Sequence, residues 1–85
     1  MIIGKVVGNI WATRKEEGLT GFKLLTVQPV DSEGERLNAD IIVAVDRIGA
    51  GMNDKVLVTV GAPASIIDQR QLPVDALIVG IIDQN

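Results

Sequence analysis

Five short apolar runs, dominated by Val and Ile, constrain the fold of this chain more than any other feature. The 85 residues include 22 Val or Ile, whose branched Cβ atoms suit pleated strands better than helices. Turn signals rich in Gly, Asp and Pro separate the runs at intervals that favour a small barrel. The sequence therefore predicts an all-β protein with strands near residues 2–13, 22–30, 41–45, 56–60 and 77–82.

The first run shows the clearest strand pattern. One set of alternate positions from Ile2 to Ala12 is wholly small or apolar, which indicates one buried face. Gly4 and Gly8 within that set allow the sharp coiling that a small closed barrel requires. We therefore predict a five-stranded barrel of the OB type, with residues 1–85 forming a single domain.

The strand pattern lapses between Gly61 and Pro73. Pro63 can begin one or two helical turns that run to Arg70, because the missing N–H of proline costs nothing at the first helical position. The sequence therefore predicts one short helix between strands four and five.

The third and fifth runs, residues 41–45 and 77–82, are apolar on both faces. Alternate residues of a barrel strand must point outward, so the barrel interior can bury only one face of each. A contiguous exposed apolar surface usually marks a protein interface. We therefore expect the protein to associate with copies of itself.

The composition excludes most kinds of catalytic site. The chain contains no Cys and no His, which removes disulfides, thiolate nucleophiles, imidazole bases and the usual zinc or copper ligands. Ser65 has no Lys near it in sequence, and its spacing from Gly61 does not match a nucleophile elbow. We predict a protein that is not an enzyme and has no cofactor, metal site or catalytic residue.

Charge and hydropathy limit the partners. The net charge is −3, which disfavours charge-driven binding of nucleic acid or anionic lipid. No apolar run approaches the roughly 20 residues that span a bilayer, and residues 1–5 lack the basic start and cleavage site of a signal peptide. We expect a soluble, intracellular protein with no membrane partner.

Two segments superficially suggest ligand sites. The glycine cluster at residues 49–54 resembles a phosphate-binding turn, but a strand follows it where that motif requires a helix, so a tight turn is the better interpretation. Asp31, Glu33 and Glu35 alternate in a loop without the spacing of a calcium site, so a solvated turn is favoured.

Three further aspartates, Asp46, Asp75 and Asp83, lie beside strand ends. Their expected roles are capping, edge protection, or an ion pair with Arg47 or Arg70.

Binding of single-stranded nucleic acid is the alternative function, because OB-type barrels often use a basic groove and exposed aromatics for it. The chain offers only Trp11 and Phe22, and the basic pair at residues 14–15 is followed directly by two glutamates. Trp11 lies on the strand face opposite the apolar set. We expect it to be partly exposed and to anchor an interface rather than stack bases.

The order of several segments resembles the bacterial microcompartment vertex family, also called the EutN/CcmL family, over essentially the whole chain. The segments are GKVVG (4–8), ATRK (12–15), LTGFKLL (19–25), VAVDRIGAG (43–51), KVLV (55–58), PVDA (73–76) and IVGIID (78–83). Each is weak alone, whereas their common order within 85 residues is specific.

This resemblance implies a structural protein that forms a cyclic pentamer at the vertices of a carboxysome-like polyhedral shell in the cytoplasm. The implied partners are copies of the chain and hexameric shell proteins, and nucleic acid is not among them. The resemblance also implies that the protein catalyses no reaction. The resemblance places Gly49, Ala50 and Gly51 at a subunit contact. It also implies that the loop after strand four lines a central opening, formed by Gly61, Ala62, Pro63, Ala64 and Ser65.

Two departures from the family pattern bear on assembly. The family has Gly-Ser-Ser-Ala-Arg where this chain has residues 61–65, so the opening is expected to be less polar and less basic. Many relatives continue beyond the last strand into an extension that embraces a neighbour, whereas this sequence ends at Asn85. A weaker or altered oligomer, including a hexamer, is therefore the alternative to the pentamer.

Overall fold

The computed structural model describes residues 1–11, 19, 21–61, 66–67, 70–71 and 74–83. Within these residues, five strands close into a barrel with the order β1-β2-β3-β7-β4, and two short strands pair separately. The strands are β1 (Ile2–Ile10), β2 (Lys23–Pro29), β3 (Ile42–Asp46), β4 (Lys55–Val60), β5 (Ile66–Ile67), β6 (Arg70–Gln71) and β7 (Ala76–Ile81). The predicted all-β, five-stranded barrel is confirmed.

The barrel strands follow the apolar runs closely. The bounds of β2, β3, β4 and β7 lie within one residue of the predicted ones, and β1 ends at Ile10, before the predicted end. Neighbouring barrel strands are antiparallel except β3 and β7, which run parallel and pair at Val45↔Leu77 and Asp46↔Ile78. No helix long and apolar enough to cross a lipid bilayer occurs in the described part of the chain.

The predicted helix from Pro63 to Arg70 is wrong. Ile66 pairs with Gln71, and Ile67 with Arg70, in a small antiparallel ladder. Two adjacent β-branched residues favour extended backbone, and this preference outweighs the helix-starting signal of Pro63. The rest of the predicted helix, residues 63–65 and 68–69, lies outside the described residues.

Aliphatic side chains fill the barrel interior. Each strand sends alternate residues inward, as the period of two requires. The core residues are Val6, Leu25, Val27, Ala44, Ala50, Val56, Val58, Ala76 and Ile78. A second, smaller cluster lies on the other face of β3, where the buried Val45 packs against Phe22, Leu24, Val74 and Leu77.

Gly4 allows β1 and β2 to approach closely. It pairs with Pro29, and a Cβ at this position would overlap Cγ1 of Val27 and lie 3.2 Å from the carbonyl oxygen of Gln28. We expect Gly4→Ala to lower the free energy of unfolding by about 1–3 kcal/mol, because a methyl group inserted into packed backbone strains its neighbours. Urea unfolding at a fixed protein concentration measures the loss.

Gly51→Ala provides the matched control. The nearest atom to an added Cβ is Oδ2 of Asp54 at 3.8 Å, which is ordinary contact, so we expect a change within about 0.5 kcal/mol. Equal effects of the two variants would contradict the close-approach role of Gly4.

Candidate assembly surface

A buried carboxylate organises the glycine turn that follows β3. Asp46 is the last residue of β3, and its side chain is completely buried. Its Oδ1 accepts hydrogen bonds from the N–H groups of Ile48 (3.0 Å) and Gly49 (3.2 Å), and its Oδ2 accepts one from Ala50 (2.8 Å). The predicted capping role of Asp46 is confirmed, because one carboxylate bonds three successive turn amides.

Lys23 completes this anchor from the neighbouring strand. The register of β2 and β3 places Lys23 opposite Asp46. Its Nζ lies 3.7 Å from Oδ2 of Asp46 and donates a hydrogen bond to the carbonyl oxygen of Ala50 at 2.7 Å. The ammonium thus compensates the buried charge and fixes the turn from its other side. Sequence reasoning missed this partner, because only the strand register brings Lys23 next to Asp46.

The far end of the turn is fastened to β1. Oδ2 of Asp54 accepts the N–H of Gly51 at 2.8 Å. The N–H of Asn53 donates to the carbonyl oxygen of Val6, and the N–H of Val6 donates to that of Asp54, each at 2.9 Å. The segment from Asp46 to Asp54 is therefore held at both ends.

The three residues predicted to form a subunit contact differ in accessibility. Gly49 is exposed and has a φ of 93°, a conformation that glycine adopts without strain. Ala50 is fully buried in the core of its own protomer, and Gly51 is half-buried. Of these three residues, Gly49 is therefore the most accessible to another molecule, together with the neighbouring exposed Ile48. The subunit-contact role stays a prediction.

The predicted central-opening loop begins directly after β4. Gly61 is exposed, and its N–H donates to the carbonyl oxygen of Asp75 at 2.8 Å. Ala62, Pro63, Ala64 and Ser65 lie outside the described residues.

The loop after β2 is a turn, as predicted. Oδ1 of Asp31 accepts the N–H groups of Glu33 and Glu35, both at 2.9 Å. One oxygen of the Asp31 carboxylate thus bonds two backbone amides of its own turn. Exposed residues surround this turn.

The outer surface of the barrel is strongly apolar. Val43 of β3 and both Val79 and Ile81 of β7 are exposed. This confirms the prediction that these two strands carry more apolar side chains than the barrel interior buries. Trp11 is 93% exposed, in agreement with its predicted position on the outer face. Further exposed apolar side chains are Met1, Val7, Ile10, Leu37, Ile41, Ile48, Met52 and Val60. A lone 9.1 kDa barrel therefore leaves much of its apolar content in water.

Two β-bulges add to this surface. In β1 the register passes from Val6↔Val27 to Gly8↔Thr26, so Val7 is an extra residue. In β7 it passes from Val58↔Ile78 to Leu57↔Gly80, so Val79 is an extra residue. A bulge re-aims a side chain locally, and Val7 and Val79 are 39% and 43% exposed.

Comparison with known proteins identifies the family. The family model described as "Ethanolamine utilisation protein EutN/carboxysome" matches residues 1–83. The chain belongs to the EutN/CcmL family. Its members therefore provide the context for the exposed apolar surface described above.

Relatives in the EutN/CcmL family have names that refer to shells. The carboxysome shell vertex protein CcmL of Thermosynechococcus vestitus is 44% identical over 84 residues, which cover 98% of this chain and 84% of the relative. The bacterial microcompartment shell vertex protein EutN of Salmonella typhimurium is 36% identical over 85 residues, covering 99% and 85%. The solved structure of the GrpN pentameric microcompartment shell protein from Rhodospirillum rubrum superposes with a TM-score of 0.85 at 36% identity. That match covers 99% of this chain and 94% of GrpN.

Proposed function

We propose that this EutN/CcmL-family chain is a structural shell protein that forms a pentameric vertex of a bacterial microcompartment. The observation that carries the proposal is a barrel of the family fold whose outer surface exposes many aliphatic side chains. The pentameric GrpN, of the same fold over nearly the whole chain, supports five copies as the assembly. The described surface gives less support to nucleic-acid binding, the alternative, because Trp11 is the one aromatic residue among its exposed large hydrophobic side chains.

Five-fold units have a geometric role in a closed shell. A flat sheet of six-fold tiles cannot close on itself, and units of five-fold symmetry supply the curvature. A cyclic ring of five uses a heterologous contact, in which each subunit presents one face to the subunit before it and another to the subunit after it. The proposed partners are therefore copies of this chain within the ring and hexameric shell proteins around it, inside the cytoplasm.

In this role the chain does no chemistry. It encloses enzymes that other chains supply, and the absence of Cys and His from its sequence fits that role. The turn of Gly49, Ala50 and Gly51 is proposed to shape the subunit contact, with Ala50 supporting it from the core. The loop from Gly61 to Ser65 is proposed to line the central opening.

Native mass spectrometry tests the assembly. Five copies of the 9.1 kDa chain give a complex of about 45.5 kDa, which is the expected species at micromolar concentration. A folded 9.1 kDa monomer would contradict the proposal. Retention on single-stranded DNA at moderate salt would instead favour the nucleic-acid alternative.

A further inference from the structure

We propose that the two bulged valines are the two halves of the ring contact, so that Val7 of one protomer packs against Val79 of the next. This inference rests on the proposed pentamer and specifies its interface. A heterologous contact requires two different faces on each protomer. The barrel has two such apolar faces, and each of them is built around one bulge.

The first face covers the outside of β1, β2 and β3, and is called the β2 face. It consists of Val7, Ile41 and Val43, all exposed. The register joins Gly8 to Thr26 and Thr26 to Val43, so the bulge of β1 and the middle of β3 share one surface. Val7 and Ile41 also line a common groove of about 380 Å³. The β2 face therefore combines a groove that holds Val7 and Ile41 with the exposed Val43 on β3.

The second face lies at the end of β7 and is called the β7 face. It consists of Ile48 and Val79, both exposed. Asp46 and Ile78 are paired in parallel, so the glycine turn leaves β3 beside the bulge that contains Val79. The rigid turn that Asp46 anchors thus adjoins this bulge, and the β7 face includes the accessible part of the predicted subunit-contact turn.

The two bulges share the same Val-Gly dipeptide. Val7 is followed by Gly8, and Val79 by Gly80. Glycine permits the local bend of each bulge, and at Gly8 it also leaves room for Oγ1 of Thr26, which would lie 2.9 Å from an added Cβ. A bulge also interrupts the hydrogen-bonded strand ladder. Contact of the exposed valine with a second molecule would explain why the bulge is present.

A second copy of this chain is the occupant that fits both faces. The rim of the groove on the β2 face carries Lys5, Glu35 and Arg36, a net charge of +1, and the residues of the β7 face are flanked in sequence by the exposed Arg47 and Asp83, whose formal charges cancel. Neither face is strongly charged, so charge does not oppose contact between the β2 face of one copy and the β7 face of the next. The pentameric GrpN structure, of the same fold, supports a copy over an unrelated partner.

Cysteine cross-linking tests the pairing directly, because the natural sequence contains no cysteine. The variants are V7C, V79C and the double variant V7C/V79C, each oxidised mildly as the assembled protein. In a heterologous contact, position 7 meets only position 79 of the neighbour. The double variant should therefore give a ladder of up to five linked chains on a non-reducing gel, and each single variant should stay unlinked. The control N38C/V79C, in which Asn38 is exposed on the loop before β3 and belongs to neither face, should give no ladder.

The outcomes separate this inference from the proposed function. A wild-type chain that remains a monomer in native mass spectrometry refutes the proposed function and this inference with it. A wild-type pentamer whose V7C/V79C variant gives no ladder refutes the pairing alone. Dimers formed by V7C alone also refute it, because they show contact between like faces.

Charge variants provide a second test if the cysteine variants do not assemble. V7D and V79K, each alone, should reduce the pentamer fraction at least tenfold, since each places a charge in an apolar contact. Combining V7D and V79K in one chain should restore at least part of that fraction, because the opposite charges then meet across every contact of the ring. The pairing is overturned if the V7D/V79K chain regains none of the pentamer fraction while circular dichroism shows that the charge variants are folded.

Discussion

Replacing Asp46 by Ala is expected to lower the free energy of unfolding by about 3 kcal/mol, because three turn amides lose their acceptor at once. The carboxylate bonds the N–H groups of Ile48, Gly49 and Ala50 and compensates the charge of Lys23. Ala50 belongs to the core, so loosening the turn also weakens the packing of the barrel end. Urea unfolding at constant protein concentration measures the loss, because the stability of an oligomer depends on concentration.

Asp31→Ala is the matched control for burial. Asp31 also accepts two backbone amides, but these hydrogen bonds lie at the exposed surface, where water replaces a lost acceptor. We expect its removal to cost about 1 kcal/mol or less. Equal losses of unfolding free energy in the two variants would contradict the importance of burial for the effect of Asp46.

Leu25→Ala is expected to have an effect at least as large, about 3–4 kcal/mol, because it leaves a cavity that the barrel cannot collapse around. Leu25 is fully buried on β2, among the largest such side chains of the described residues. A chain of 85 residues has a total stability of roughly 4–13 kcal/mol at about 0.05–0.15 kcal/mol per residue. The variant should therefore unfold at a much lower urea concentration than the natural chain.

The corresponding change at Leu37 tests the same substitution at the surface. Leu37 is exposed, so Leu37→Ala should change stability by no more than about 0.5 kcal/mol. A loss at Leu37 that matched the loss at Leu25 would contradict the assignment of the core.

The strands could be predicted from sequence because their signal is local. The run from Ile41 to Val45 and the run after Lys55 are too short and too rich in β-branched residues to be helices, and both form strands. The helix prediction failed where two local signals conflicted, since Pro63 favours a helix start while Ile66 and Ile67 favour a strand.

The assembly surface could be predicted only in part. The apolar surplus of β3 and β7 follows from composition, but the bulges do not, since the alternation of β1 gives no sign that Val7 is an extra residue. The partnership of Lys23 with Asp46 depends on a register between strands that are distant in sequence. Such non-local pairing is set by the whole sheet and leaves no motif in the sequence.

The closed barrel has a mechanical consequence. Each of its five strands has a hydrogen-bonded neighbour on both sides, so we expect copies of the chain to join through aliphatic side chains rather than through a shared ladder. Such a joint lacks directional bonds and tolerates small changes of tilt between neighbours, whereas a continuous sheet would fix one angle. We therefore expect a vertex joined in this way to fit shells of more than one radius.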